Sequence, residues 1–289
     1  MKVEDITWLH VEASTKCNAW CPGCPRNNNG YGLAPGLIEE DLSPSRYLEI
    51  INGLPNLHGV QLCGNFGDPL ASKYIDEILD ISIEHSDKLQ IHTNGSLKSK
   101  TWWRHLGDKL KDRNHDVWFG IDGLKGVHEI YRQATSYDKI IENASEFISA
   151  GGHATWQFIP YAHNEHQIRD SIQLSQKLGF KKFKLAKLYR KKTNAFNYQT
   201  GEHYDLMPTK EFWDIISKVD ETKPVDFGDC MHLSIPSIYL NADGTLSRCC
   251  YLSKEKFNTL EHLMDRKTDL SEKACMKSCG GYYEGRNHI

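Results

Sequence analysis

Strand-like and helical segments alternate through the first 190 residues of this 289-residue chain. The strand-like segments are short runs, several of them rich in β-branched or aromatic side chains, and helical stretches lie between them. Such an alternation produces βαβ units and a parallel sheet. The predicted fold class is therefore α/β, either as an incomplete barrel or as an open doubly wound sheet. The predicted strands are residues 7–13, 59–62, 89–93, 117–121, 155–159 and 182–188, and the predicted helices are residues 44–53, 73–86, 101–110, 137–150 and 165–178.

The sequence changes character near residue 190. Residues 191–228 are polar and irregular apart from one predicted helix at 209–219. The remainder contains one hairpin signal at 237–248, with the turn Asn-Ala-Asp-Gly near its centre. One hairpin buries little apolar surface, so this C-terminal part would benefit from a metal that staples it. The predicted parts are a core at 1–190, a linker with a helix at 191–228 and a small α+β domain at 229–289.

The composition narrows the class of protein. The formal net charge of −3 gives no excess of positive charge for nucleic acid or a membrane surface. No run approaches the ~20 apolar residues of a membrane-spanning helix, and the first residues do not resemble a signal peptide. We therefore expect a cytoplasmic protein without nucleic-acid or membrane partners. In such a protein, clustered cysteines more often hold a metal or a cluster than form disulfides.

Three of the nine cysteines follow the first predicted strand within one short segment. Cys17, Cys21 and Cys24 are spaced so that their thiolates can converge on one metal centre from a single loop. A structural metal site usually takes four protein ligands. Three ligands leave one position of the metal centre open to a small molecule. A zinc knuckle or a set of inert buried thiols is the alternative interpretation of the same spacing.

The motif Cys-x3-Cys-x2-Cys after the first strand resembles the signature of radical SAM enzymes. In that family the open iron of a 4Fe–4S cluster binds S-adenosylmethionine. Reductive cleavage then gives a 5′-deoxyadenosyl radical that abstracts hydrogen from the substrate. The resemblance covers roughly residues 7–190 and implies an incomplete (β/α)6 barrel, with the active site at the carboxyl ends of the strands.

Other segments resemble the cofactor-binding motifs of this family, in the expected order after the cysteines. Residues 64–70 resemble the Gly-Glu-Pro segment, whose backbone helps to bind the methionine amino group, although Asp68 stands where Glu is commoner. Residues 119–123 resemble the Ser-x-Asp-Gly segment near the ribose and methionine, with Gly120 in place of the usual Ser. The cofactor-binding residues implied by the resemblance are Gly67, Asp68, Pro69, Thr93, Asn94 and Asp122.

Five further cysteines lie in the last 60 residues. An Asp-Gly turn five residues before Cys249 resembles the twitch domain, the small relative of the SPASM extension of this superfamily. The resemblance implies a second 4Fe–4S cluster with a role in electron transfer, and Cys250 could replace Cys249 in it. A four-cysteine zinc site is the alternative. The implied ligands of the second cluster are Cys230, Cys249, Cys275 and Cys279.

Taken together, the resemblance implies a radical SAM oxidoreductase with two 4Fe–4S clusters, S-adenosylmethionine and an external electron donor such as flavodoxin or ferredoxin. The compact C-terminal part favours a small-molecule substrate over a peptide. A non-catalytic zinc-binding module is the rival from another class. No catalytic acid or base is assigned. Asn164, near the end of the fifth strand, is interpreted as a cap of the following helix or as part of the site.

Overall fold

The computed structural model describes residues 2–186, 194–197, 200–206, 209, 236–250 and 255–265. Over these residues the chain is α/β with a largely parallel sheet, as predicted. This sheet has eight strands, and a separate sheet has two. The predicted helix at 209–219 lies outside the described residues, apart from residue 209. The strands are β1 Trp8–Val11, β2 Gly59–Leu62, β3 Lys88–Thr93, β4 Asp116–Gly120, β5 Ala154–Phe158, β6 Lys182–Leu185, β7 Asn194–Phe196, β8 His203–Asp205, β9 Ser237–Leu240 and β10 Leu246–Ser247. The helices are α1 Pro44–Asn52, α2 Ile75–His85, α3 Lys100–Leu110, α4 His128–Tyr131, α5 Tyr137–Ser149, α6 Ile168–Lys177 and α7 Leu260–Asp265.

The chain divides into two compact units. The first unit comprises Met1–Lys16, Glu39–Gln90 and Asp229–Ile289, and the second comprises Cys17–Ile38 and Ile91–Gly228. In the first unit the strand order is β10–β9–β1–β2–β3, and β1 pairs in parallel with both β2 and β9. In the second unit the order is β3–β4–β5–β6, and β5 pairs in parallel with both β4 and β6. Strand β3 has residues in both units.

The helices begin where their sequences provide caps. Ser43, Ser99 and Ser136 precede α1, α3 and α5, and the hydroxyl of each accepts a hydrogen bond from the backbone N–H three residues later. Such a cap satisfies one of the backbone donors that the first turn of a helix leaves without an intrahelical partner. Pro44 occupies the first position of α1, where the missing N–H costs nothing.

Aromatic side chains fill the core of the second unit. The rings of Trp103 on α3 and Phe119 on β4 lie 5.0 Å apart, and Phe147 on α5 lies 6.0 Å from Trp103. All three side chains are fully buried. Gly107 lets α3 and α5 approach closely, because a Cβ at this position would lie 2.5 Å from the carbonyl oxygen of Phe147.

The predicted C-terminal hairpin is present in the first unit. The backbone of Asn241 donates to the carbonyl of Thr245 at 2.8 Å, and Gly244 takes a left-handed conformation at φ +80°. The division at residues 190 and 228 stays a prediction, since much of the chain beyond 190 lies outside the described residues. In the described part, no helix has the length and apolar character needed to span a membrane.

Candidate cofactor site

The cysteine loop, residues 17–24, follows β1 and belongs to the second unit. Cys21 is buried and belongs to one apolar cluster together with Tyr131, Tyr161 and Leu206, while Cys17 and Cys24 are half-buried and pack against that cluster. The structure therefore brings the three predicted ligands to a common apolar surface. Surroundings of this kind keep bulk water away from the sulfur atoms.

Amide side chains hold the beginning of the loop. The Nδ2 of Asn94, just after β3, donates to the Oδ1 of Asn18 at 2.9 Å and contacts the Sγ of Cys17 at 3.7 Å. The Nδ2 of Asn18 donates to the hydroxyl of Ser96 at 2.8 Å, and that hydroxyl donates to the Oδ1 of Asn94 at 2.5 Å. A donor aimed at sulfur favours the thiolate, which is the form that binds iron. Asn94 thus acts on the cysteine loop directly.

The backbone of the loop is also fixed. The buried Nδ2 of Asn27 donates to the carbonyl of Ala19 at 3.3 Å and to that of Cys21 at 3.2 Å. Gly23 faces the hydroxyl of Tyr131, which would lie 2.8 Å from a Cβ at this position. These contacts set the course of the backbone between the second and third cysteines.

An ion pair between the half-buried Arg132 and the fully buried Asp122 lies beside the loop. The Nε of Arg132 donates to the Oδ2 of Asp122 at 2.6 Å, and the backbone of Ile159 donates to the Oδ1 at 2.7 Å. Burial alone would lower the pKa of Arg132, but the charges of Asp122 and Cys21 outweigh that effect and raise it well above its ordinary value. Burial raises the pKa of Asp122, and Arg132 opposes that rise. The loop therefore faces a permanent positive charge.

Gly120 departs from the family motif for a reason that the structure supplies. A Cβ at Gly120 would lie 2.8 Å from the Nη2 of Arg132 and 3.1 Å from its Cζ. The guanidinium occupies the space that a serine side chain would need. Arg132 is the main residue that sequence reasoning missed at this site, and its signal was the missing side chain at Gly120.

Of the two interpretations of Asn164, the structure does not support the cap of the following helix. Its side chain makes no capping hydrogen bond to the turn Glu165–Gln167. Instead its Nδ2 donates at 3.0 Å to the carbonyls of Asp122 and Ile159. Asn164 is fully buried, and buried carbonyls need donors, so the amide satisfies the strand ends around Asp122.

The glycine turn, residues 64–70, follows β2 in the first unit. A Cβ at Gly67 would lie 1.9 Å from the carbonyl oxygen of Ser14 and 2.8 Å from that of Lys16, so only glycine fits. The backbone of Asp68 donates to the Lys16 carbonyl at 2.9 Å. The turn therefore rests on the backbone that immediately precedes Cys17 in sequence.

Asp68 caps its own turn. Its Oδ1 accepts from the backbone of Leu70 at 3.0 Å, at the start of the 3-10 turn Pro69–Ala71. This contact between a side chain and the backbone two residues later suits the short side chain of Asp. The geometry thus accounts for Asp where the family commonly has Glu.

Glu12 lies behind the glycine turn and was also missed. Its Oε1 accepts from the backbone N–H of Phe66 at 2.6 Å and from that of Gly67 at 3.3 Å. Its Oε2 accepts from the hydroxyl of Tyr239 at 2.7 Å. Burial raises the pKa of Glu12, although these hydrogen bonds oppose the rise. The only signal in the sequence was a carboxylate within the first predicted strand, at residues 7–13.

The C-terminal ligand set stays a prediction. Cys249 and Cys250 are half-buried after β10, and the side chain of Asn65 donates to the carbonyl of Cys250. Among the residues that the structure describes, no three His, Cys, Asp or Glu side chains are arranged to hold one metal ion. A 4Fe–4S cluster is larger than one ion, and its cysteines bind different irons. The predicted ligands outside the described residues are Cys230, Cys275 and Cys279.

The three thiols of the cysteine loop fit an iron–sulfur cluster. Thiolates are the usual ligands of such clusters, and hydrogen bonds to sulfur and nearby charge are features that tune them. Asn94 supplies a contact to sulfur and Arg132 supplies the charge. The donor set and its surroundings therefore suit the group that the family resemblance implies.

The chain has the fold of the radical SAM enzymes. It superimposes on SuiB of Streptococcus suis bound to S-adenosylmethionine with a TM-score of 0.65 and 13% identity, covering 99% of this chain and 68% of SuiB. SuiB bound to precursor peptide SuiA gives 0.64 and 14%, covering 99% and 67%. The enzyme anSMEcpe with AdoMet and the Cp18Cys peptide gives 0.60 and 13%, covering 96% and 82%. No family model and no curated protein sequence matches the chain.

Proposed function

We propose that this chain is a radical SAM enzyme in which Cys17, Cys21 and Cys24 bind a 4Fe–4S cluster. The observation that carries the proposal is that all three thiols pack on one apolar cluster, with the Arg132–Asp122 ion pair beside the loop. With S-adenosylmethionine bound, such a cluster supplies a 5′-deoxyadenosyl radical that abstracts hydrogen from a substrate.

The residues of the second unit hold the loop and balance its charge. Three thiolates on a cluster bring negative charge into apolar surroundings, which is costly unless a positive charge lies nearby. Arg132 provides that charge and is itself held by Asp122. Asp122 thus acts on the site by holding Arg132 in place, and Asn94 acts on it by contacting the sulfur of Cys17. The side chain of Thr93 accepts from the backbone of Gly95 at 3.0 Å and shapes the same strand end.

Three backbone N–H groups of the glycine turn already have acceptors within the first unit, so their peptide groups can offer a ligand only carbonyl oxygens. The N–H groups of Phe66 and Gly67 donate to Glu12, and that of Asp68 donates to Lys16. Carbonyl oxygens are what the ammonium group of methionine requires, since it is a donor without acceptor capacity. This property supports the assignment of Gly67, Asp68 and Pro69 to binding of the methionine amino group.

A peptide is the substrate class with the more direct support. SuiB and anSMEcpe, which share the fold, carry the SuiA and Cp18Cys peptides in their structures. A small molecule is the second candidate substrate, because the C-terminal part at 229–289 is small. The proposal also includes an oxidoreductase reaction and a flavodoxin or ferredoxin as electron donor. It further includes a second cluster, bound by Cys230, Cys249 or Cys250, Cys275 and Cys279.

The test is anaerobic reconstitution with iron and sulfide, followed by dithionite and S-adenosylmethionine. We expect about eight irons per chain, as two 4Fe–4S clusters require, and formation of 5′-deoxyadenosine. Cys21→Ala should abolish the 5′-deoxyadenosine and reduce the iron content by about half. Cys63→Ala is the matched control, because Cys63 lies after β2 and outside the loop, and it should retain both.

The other outcomes separate the alternatives. Four irons with turnover would retain the radical chemistry and remove the second cluster. Bound zinc without 5′-deoxyadenosine would replace the proposal with the non-catalytic zinc module. To identify the substrate class, cell extract is separated by ultrafiltration into a large and a small fraction, and each fraction is tested for stimulation of turnover. Stimulation of turnover by the large fraction that protease treatment removes indicates a peptide, and stimulation by the small fraction indicates a small molecule.

A further inference from the structure

The carboxylate of Glu12 organises the glycine turn from inside the first unit. Its Oε1 accepts from two successive N–H groups, those of Phe66 and Gly67, at 2.6 and 3.3 Å. A Cβ at Gly64 would lie 3.0 Å from the same Oε1, so the turn wraps closely around it. One acceptor therefore fixes the direction of the two peptide groups that lead into Gly67, the first of the residues that the proposed function assigns to methionine binding.

The other oxygen of Glu12 connects this turn to the C-terminal hairpin. Tyr239 on β9 is fully buried and donates its hydroxyl to the Oε2 at 2.7 Å across 227 positions of sequence. Its ring packs edge-on against His10, with the centroids 4.7 Å apart, and His10 is also its register partner on β1. The ring is thus held on one side while the hydroxyl is directed at Glu12.

We propose that Glu12 is a positioning residue for S-adenosylmethionine binding and that Tyr239 makes this positioning depend on the C-terminal hairpin. This inference rests on the proposed function. Removing the Tyr239 hydroxyl leaves Glu12 with one donor fewer in a buried place. The carboxylate can then rotate or take up a proton, and the N–H groups of Phe66 and Gly67 lose a fixed acceptor.

The deciding variant is Tyr239→Phe, which removes one hydroxyl and keeps the ring. In the reconstituted full-length protein we expect the Kd for S-adenosylmethionine to rise about tenfold, the effect of one hydrogen bond to a charged group. Backbone amide exchange at Phe66 and Gly67, measured without S-adenosylmethionine, should quicken by about the same factor. Glu12→Gln, which retains an acceptor oxygen for both N–H groups, should bind more tightly than Glu12→Ala.

Tyr47→Phe is the matched control. Tyr47 is equally buried in the first unit, and its hydroxyl makes a 2.7 Å hydrogen bond with Ser82, away from the glycine turn. The two Tyr→Phe variants therefore lose the same group from similar surroundings. Tyr47→Phe should leave both the Kd and the exchange at Phe66 and Gly67 unchanged.

The outcomes distinguish this inference from the proposed function. If the wild-type protein fails to bind S-adenosylmethionine, the proposed function fails and the positioning role fails with it. If the wild type binds and Tyr239→Phe matches Tyr47→Phe in both measurements, the positioning role alone is overturned. Weaker binding with unchanged amide exchange would also contradict it, because the effect would not pass through the turn.

Discussion

The cysteine loop and the glycine turn are each built around a charge that is largely removed from solvent, and the two charges have opposite signs. Arg132 beside the loop is paired with the carboxylate of Asp122. Glu12 behind the turn is held by two backbone N–H groups and the hydroxyl of Tyr239. The loop offers side chains to a ligand, whereas the turn offers its backbone. Each region therefore needs a different kind of support.

The difference between arginine and glutamate determines how each region responds when its charged residue loses a partner. An arginine cannot lose its proton at any ordinary pH, so a missing partner leaves a full charge in a half-buried place. A glutamate can take up a proton and become neutral, which limits the cost of losing a donor. We therefore expect the loop to be sensitive to loss of its ion partner, and the turn to be sensitive to shape and to pH.

The largest expected effect comes from Asp122→Asn. The variant leaves the guanidinium of Arg132, whose side chain is only 16% exposed, without its counter-ion. We expect the free energy of unfolding to fall by about 3 kcal/mol, the lower end for a broken buried ion pair. Denaturant-induced unfolding measures the change. Asp138→Asn is the control, because Asp138 pairs with Lys125 at the surface, with 63% and 71% of their side chains exposed. This control should change stability by less than about 1 kcal/mol. Equal losses in the two variants would show that Arg132 does not depend on Asp122.

A smaller effect is expected from Gly67→Ala in the glycine turn. The added methyl group would lie 1.9 Å from the Ser14 carbonyl oxygen, so the backbone of the turn or that of Ser14 would have to shift. We expect a loss of about 1–3 kcal/mol, as for other overpacked sites, together with loss of S-adenosylmethionine binding. The measurements are denaturant-induced unfolding and equilibrium binding.

Gly36→Ala separates overpacking from backbone strain. Gly36 has φ +77°, but no atom lies within 4 Å of a Cβ placed there. The variant should lose about 1 kcal/mol from the left-handed conformation alone and retain binding. If Gly67→Ala also retained binding, the close approach to Ser14 would not be what shapes the turn.

The same comparison shows what the sequence could predict. The cysteine loop was predicted because its signal is local, with three cysteines inside eight residues directly after a strand. The strand and helix order and the hairpin at Asn241–Gly244 were predicted for the same reason, since periodicity and turn residues act over short distances. The partners of these segments were not predicted.

The missed contacts join residues that are far apart in sequence. Tyr239 and Glu12 are separated by 227 positions, and a hydrogen bond over such a distance leaves no spacing pattern. The cap interpretation of Asn164 was reasonable because Asn is locally a good cap, but in the fold its amide donates to the buried carbonyls of Asp122 and Ile159. Tertiary contacts overrode the local preference at this residue.

The smallest expected effect is a pH dependence that only the glycine turn should show. Burial raises the pKa of Glu12 above 4.5, so above pH 4.5 the folded chain holds a proton here that the unfolded chain has released. The stability contributed by Glu12 is present below pH 4.5 and is lost as the pH rises through the raised pKa. Glu12→Gln does not titrate. The free energy of unfolding of the wild type minus that of Glu12→Gln should therefore fall as the pH increases above 4.5.

The variant Tyr239→Phe provides a second test of the pH dependence that we assign to Glu12. The hydrogen bond from Tyr239 lowers the pKa of Glu12, so its removal should raise that pKa further and extend the fall in stability to higher pH. Unfolding free energies of the single variants and of the double variant with Glu12→Gln, measured at several pH values, test this expectation. A difference that stays constant with pH would mean that the N–H groups of Phe66 and Gly67 keep Glu12 ionised. The turn would then contain a permanent charge, as the cysteine loop does at Arg132, and the contrast between the two regions would disappear.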